Sequence, residues 1–258
     1  MAETAVPERL SQCRKTDGLR SGSVESGSEV ENTTVEIMCG RFVLITDLSA
    51  IARDFNISGI SVSFEPSRNV APGRPIPAIV GAGRENQLKL FLWGLIPFWA
   101  KDPSIGARLI NARAETVAEK PSFRQAFARR RCLIPADGFY EWQKEGGKKI
   151  PYCFGLKSGA PFYFAGLYEK WTAPDRQPVE SCAIITTRAN EIVASVHDRM
   201  PVIVPAAAHA LWLNPAAEDP GRLLTVLKPY STEEMICAET DLSGPALFIK
   251  SSSTLLSE

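Results

Sequence analysis

Cys132-Leu133-Ile134-Pro135-Ala136-Asp137-Gly138-Phe139-Tyr140-Glu141-Trp142-Gln143 carries two short strands, Cys132–Pro135 and Phe139–Gln143. Three more follow the same apolar or alternating pattern: Tyr152–Leu156, Phe162–Leu167 and Cys182–Thr187. Turn signals separate them, among them Gly146-Gly147 and Ser158-Gly159. Short strands in series predict an antiparallel sheet or a barrel-like core.

Upstream of this run the pattern is mixed. Phe42–Ile45 reads as a short strand. Thr46 or Asp47 can cap a helix whose apolar positions Leu48, Ile51, Ala52 and Phe55 share one face. Asn69-Val70-Ala71-Pro72-Gly73 reads as a turn or loop. Ile76–Val80 and Gln87–Leu92 are strand candidates, the second with Leu88, Leu90 and Leu92 on one face. Trp93-Gly94-Leu95-Ile96-Pro97-Phe98-Trp99 is an aromatic loop able to cover a core or stack bases. Asn111-Ala112-Arg113 leads into a helical Ala114–Glu119, and Pro121 opens a second helix with Phe123, Ala126 and Phe127 inward. Arg124, Arg129, Arg130 and Arg131 make this the most basic segment, read most simply as a solvated helix end. Downstream, Ala189–Val196 and Ala206–Leu213 read as helices and Val202–Val204 as a strand. His209 has no polar neighbours in sequence and reads as a plain surface or core histidine.

The chain has 258 residues, 45% of them apolar, enough for a sizeable core. Residues 1–37 hold 4 basic and 7 acidic residues; the remainder holds 25 and 22 and is mildly basic. With Ser21-Gly22-Ser23 and Ser26-Gly27-Ser28 in it, the polar stretch 1–37 is expected to be a disordered leader, removed or never translated. Residues 38–258 then form one domain, with its core at about 39–230 and no internal repeat. Six cysteines without a C-x-x-C pair, and only two histidines, argue against a zinc site. No metal or organic cofactor is expected. Cys132, Cys153 and Cys182 lie in apolar strands and are expected to be buried and reduced, as fits the cytoplasm. No apolar run has transmembrane length.

Met38-Cys39-Gly40-Arg41-Phe42 carries a different kind of signal. In a chain that begins at Met38 and loses it, Cys39 has a free α-amine beside its thiol. That amine has a pKa of roughly 8 and can attack an aldehyde to form a Schiff base. The thiol can then close a five-membered thiazolidine. Preceded by 38 residues, the same amine is locked in a peptide bond.

Four segments in order, Met38-Cys39-Gly40-Arg41-Phe42, Asn111-Ala112-Arg113-Ala114-Glu115-Thr116, Asp137-Gly138-Phe139-Tyr140-Glu141-Trp142 and His197-Asp198-Arg199-Met200-Pro201, resemble the SRAP family, the SOS-response-associated peptidases. The likeness runs from Cys39 to about Tyr230, with the Asn69 motif and Trp93-Gly94 between. It implies a single α+β domain with a barrel-like antiparallel β core flanked by helices and a DNA groove. It also implies recognition of abasic sites in single-stranded DNA at replication forks, with a covalent crosslink through N-terminal Cys39 that shields the lesion. A Schiff base at the abasic carbon also permits β-elimination, hence AP lyase activity. A monomer without membrane contact is expected, associated with the nucleoid if bacterial.

The resemblance also implies roles. Cys39 is the nucleophile. Glu141, between Tyr140 and Trp142, does general acid/base work, since apolar surroundings suit a carboxyl to proton transfer near neutral pH. His197 shuttles protons or contacts the 3′ phosphate, and Asn111 orients the sugar or Cys39. Arg41, Arg113 and Arg199 clamp phosphates. Asn69 belongs with the DNA-binding set, and Pro72, Trp99 and Trp142 stack on or wedge between bases. Two departures stand out: Trp99 is followed by Ala100 where some members carry a Trp pair, and Arg68 precedes Asn69 where an aromatic is frequent. Each proposed residue also has a plainer reading: a buried Cys, an exposed strand Glu, a structural His, a turn Asn. Two rival functions remain open: a thiol (auto)peptidase using Cys39 with His197 and Asn111 or Glu141, and a non-covalent single-strand binder.

Overall fold

The computed structural model describes residues 40–83, 85–217 and 219–242. The expected leader, the Met38-Cys39 junction and the chain from 243 lie outside the described residues.

The five strands expected between Cys132 and Thr187 all form, three of them in a closed barrel and two in a second sheet, whereas Val202–Val204, expected as a strand, makes only an isolated bridge between Ile203 and Phe164. β3 (Pro75–Ala82), β4 (Glu85–Trp93), β6 (Arg131–Ala136), β9 (Phe162–Thr172) and β10 (Pro178–Arg188) make a closed ring in the order β10-β4-β3-β6-β9-β10. Four of its seams are antiparallel; the fifth, Ser181-Cys182 of β10 against Leu92-Trp93 of β4, is parallel. The barrel is therefore mixed. Its strands are covered on both faces, which explains why β6 is buried from end to end. Gly166 of β9 has no room for a side chain: a Cβ there would meet Cys132 Sγ at 2.7 Å and Ile134 Cδ1 at 2.8 Å.

Beyond its pairing with β9, the last turns of β10 carry two short strands on opposite sides. β5 (Asn111–Arg113) runs parallel to it, and β11 (Arg199–Pro201) antiparallel. A second sheet, β12-β8-β7-β1-β2, packs beside the barrel; it comprises β1 (Phe42–Leu44), β2 (Ser67–Val70), β7 (Gly138–Glu145), β8 (Lys148–Leu156) and β12 (Met235–Glu239). Phe42 joins the two layers, its ring 5.3 Å from Trp93 and 6.0 Å from Phe164.

Helices are few and short. α1 (Leu48–Asp54) starts as expected, with Asp47 Oδ1 accepting from the Ser49 N–H at 2.7 Å. α2 (Arg124–Arg129) buries Ala126 and Phe127, with Phe123 buried at its N-cap. α3 (Glu191–Ala194), α4 (His209–Leu213) and α5 (Pro220–Leu224) complete the set. Ala114–Glu119, expected to be helical, is a succession of turns instead. Asn69-Val70, expected in a loop, belongs to β2, and the turn comes only at Pro72-Gly73. Leu88, Leu90 and Leu92 do share a face, but the deepest side chains of β4 are Phe91 and Trp93 on the other one.

Two expectations about charged and polar residues separate. His209 is a core histidine: it stacks on Phe55, meets Tyr163 edge-on, and its Nε2 lies 3.0 Å from the Val204 carbonyl oxygen. Burial lowers its pKa, so it rests neutral. Arg131, by contrast, is not part of a solvated helix end. It is 3% exposed, and its guanidinium donates to the backbone carbonyls of Phe127, Ala128, Trp212, Asn214 and Ala217. Cys132, Cys153 and Cys182 are buried free thiols, as expected.

Gly94 sits where β4 turns into the aromatic loop, at φ +136° and against the backbone of Gly106. An added Cβ would lie 2.8 Å from the Gly106 carbonyl oxygen. Gly94→Ala therefore combines left-handed strain with a backbone clash and is expected to cost about 1–3 kcal/mol. Denaturant midpoints of the two proteins check this.

Candidate functional site

The site starts where β1 meets β7. Phe42 pairs with Phe139, and the Tyr140 N–H donates to the Arg41 carbonyl at 3.0 Å, one residue from Glu141. Asp137 pins this junction. Its carboxylate accepts from Ile45 N at 2.6 Å, from Thr46 N at 2.9 Å and from Thr46 Oγ1 at 2.5 Å. A buried carboxylate with three donors is a brace, which explains why an acid precedes Gly138. Tyr140 adds a second brace, donating to the Arg68 carbonyl at 2.8 Å, and burial pushes its phenol up to about 12. Cys39 itself lies outside the described residues.

Glu141 is 2% exposed. It lines a groove of about 420 Å³ with Trp142, Gln143, Lys144, Lys149, Ser195, Val196 and His197. The far wall hangs on α3. Asn190 caps that helix, its Oδ1 accepting from Val193 N at 3.1 Å while its Nδ2 donates to the Tyr230 carbonyl at 2.9 Å. The chain then turns back with His197 N bonded to the Val193 carbonyl at 2.9 Å. Gln143 Nε2 reaches the Ser195 carbonyl at 3.4 Å and ties the two walls together. Glu141 and His197, 56 positions apart in sequence, thus face one cavity.

His197 Nδ1 lies 3.1 Å from the Arg199 N–H and 3.0 Å from Asp198 Oδ1. The Arg199 backbone N–H donates to Nδ1, and Asp198, 83% exposed, adds only a weak pull.

The remaining residues fall into two groups. Arg41 and Asn69 meet directly, Nη1 to Oδ1 at 2.8 Å, on the exposed side of the β1–β2 pair. Pro72 lies in a turn whose Gly73 N–H donates to the Trp93 carbonyl at 2.8 Å, at the foot of the aromatic loop. That loop is held by Ile96 N to Ser181 Oγ at 2.8 Å and by Trp171 Nε1 to the Ala100 carbonyl at 2.7 Å. It presents Phe98 and Trp99 to solvent, 49% and 47% exposed. Trp142 is half-buried at the groove, and Asn111 and exposed Arg113 sit on β5 beside β10.

Arg199 is set apart from the other two arginines expected to hold phosphate. It is buried, and its fork grips the Glu115 carboxylate at 2.7 and 2.9 Å and the Thr186 carbonyl at 2.7 Å. Arg199 holds the Glu115 carboxyl below its ordinary range. A guanidinium so engaged braces β11, while the Arg199 backbone N–H donates to His197 Nδ1. Asp137, Gln143 and Glu115 are contributors that sequence reasoning missed. Only Asp137 and Glu115 carried a signal, by lying inside the motif segments.

Comparison with known proteins agrees with this arrangement. The family model "SOS response associated peptidase (SRAP)" matches residues 38–241. The chain is 49% identical over 201 residues to the abasic site processing protein YoqW of Bacillus subtilis, covering 77% of this chain and 90% of that protein. It is 30% identical over 185 residues to the abasic site processing protein YedK of Escherichia coli, covering 68% and 79%. A crystal structure of a protein from Bacteroides thetaiotaomicron superimposes with a TM-score of 0.73 at 28% identity, covering 82% of this chain and 99% of that one. With the family model spanning most of its length and the fold shared, the chain belongs to the SOS response associated peptidase (SRAP) family.

Proposed function

We propose that this protein processes abasic sites in single-stranded DNA and, in a form beginning at Cys39, joins to them covalently as a thiazolidine. One observation carries the reading most: Glu141 and His197 line a single groove, and the backbone of Arg41 is hydrogen-bonded to Tyr140 next to Glu141. Cys39 precedes Gly40 and Arg41 directly in the chain. Relatives named for abasic site processing supply the substrate class.

The chemistry follows from the groups. The Cys39 amine adds to the ring-opened sugar aldehyde to give a carbinolamine. Glu141 protonates the departing hydroxyl, water leaves, and a protonated imine remains. The Cys39 thiol gives its proton to the Glu141 carboxylate, and the thiolate adds to the iminium carbon to close the neutral ring. The same imine permits β-elimination, so strand cleavage competes with ring closure. His197 serves the 3′ phosphate, the leaving group of that elimination. Arg41, Asn69 and Arg113 hold the backbone, and Trp99 and Trp142 stack on the neighbouring bases. The protein acts as a monomer on fork DNA in the cytoplasm.

The test uses the chain beginning at Cys39 with single-stranded oligonucleotides, abasic and undamaged. A denaturing gel is expected to show an adduct with the abasic strand only. Cys39→Ala is expected to bind both strands in a native assay and to form no stable adduct. An equal adduct with Cys39→Ala would overturn the proposal. Peptide cleavage without an adduct would favour the thiol-peptidase reading.

A further inference from the structure

We propose that Arg188 is a phosphate-binding residue beside His197, on the DNA path along the β5–β10–β11 ribbon. This rests on the single-strand reading above and adds a contact to it.

The ribbon β5–β10–β11 fixes the geometry. Arg113 pairs with Thr186, and Arg188 pairs with Arg199. Residues in register share a face, and so do Thr186 and Arg188, two positions apart on one strand. Three guanidiniums thus leave one face of the ribbon, from Arg113, Arg188 and Arg199. Their fates differ. Arg199 is buried and held by Glu115 and Thr186. Arg113 and Arg188 are exposed. From strand spacing and rise, the Cα atoms of Arg113 and Arg188 lie about 8 Å apart, so each can hold a separate phosphate.

Arg188 also borders a second cavity, of about 590 Å³, with Ala189, Ala194, Val196, His197, Asp198 and Arg199. His197 and Val196 line both this cavity and the Glu141 groove. A strand whose lesion occupies the groove therefore passes into the second cavity across His197 and meets Arg188 there. The charges facing this cavity are Arg188, Arg199, Asp198 and the nearby Glu115. Glu115 is gripped by Arg199 and also feels the charge of Arg188, whose own side chain stays exposed at the cavity rim. A pendant guanidinium with a fork for phosphate oxygens suits a backbone contact that reads no base.

The experiment measures binding of an undamaged single-stranded oligothymidine by fluorescence anisotropy across a salt series, with the chain beginning at Cys39. Arg188→Gln is expected to lower the slope of log K against log salt by about 0.7, the loss of one phosphate contact on a single strand. Arg188→Lys is expected to keep the slope. Unfolding midpoints should match in all three proteins, since Arg188 is exposed. A wild-type slope in Arg188→Gln overturns this inference while leaving the function standing. Failure of the wild-type protein to bind the strand at all overturns both. Undamaged DNA keeps the readout independent of crosslinking.

Discussion

Glu141→Gln is expected to slow covalent capture of abasic DNA by about 10²–10⁴-fold, the usual contribution of one positioned acid or base. The substitution keeps shape and volume but cannot transfer a proton. The carboxyl is 2% exposed and shares its groove with His197. Hydroxide does not leave the carbinolamine unaided, and bulk water has little access to a group this buried, so no solvent proton donor easily replaces it. Affinity for undamaged single-stranded DNA is expected to be unchanged, because proton transfer contributes nothing to backbone contacts. Single-turnover adduct formation alongside anisotropy separates the two effects. Equal loss of affinity and rate would assign Glu141 to binding rather than chemistry.

Arg131→Met is expected to destabilise the fold by about 3–5 kcal/mol, since each buried carbonyl left without its donor costs about 1–3 kcal/mol and the bonds to Phe127 and Trp212 are buried. The guanidinium bonds to Phe127 and Ala128 at 2.7 and 2.5 Å, closing the C-terminal end of α2. It also bonds to Trp212 at 2.9 Å and to Asn214, fastening α4 and the turn after it to the first residue of β6. Met fills part of the volume but leaves the buried Phe127 and Trp212 carbonyls without this donor. For a domain of this size the loss corresponds to a fall in melting temperature of roughly 6–20 °C. Arg129→Met, on the exposed neighbouring position, serves as the comparison in the same thermal scan.

That contrast shows where the sequence was readable. Arg129, Arg130 and Arg131 look alike in the chain; burial separates them only because Arg131 opens a strand covered on both faces. The strands after Cys132 were legible from alternation and turns, and the Asp47 cap from its side chain. Closure of the barrel was not, because its parallel seam joins residues near 92 and 182, and pairing at that distance leaves no local pattern. For the same reason Asn69 looked like part of a loop: its extended conformation comes from pairing with β1, not from its own neighbours. At the site, Glu141 and His197 were found through motifs, and the groove that unites them needed the fold. The different settings of Arg199 and Arg188 were not legible, because a sequence does not record that Glu115 folds back onto the first and that the second stays exposed.

The most direct measurement of the central claim is intact-mass spectrometry of protein mixed with abasic single-stranded DNA, with and without residues 1–38. The chain starting at Cys39 is expected to gain the mass of the oligonucleotide less one water. That adduct should resist borohydride, as a thiazolidine does and an imine does not. The chain retaining residues 1–38 is expected to gain nothing, its amine being tied in a peptide bond. Equal adducts from both forms, or none from the chain that begins at Cys39, would contradict the account.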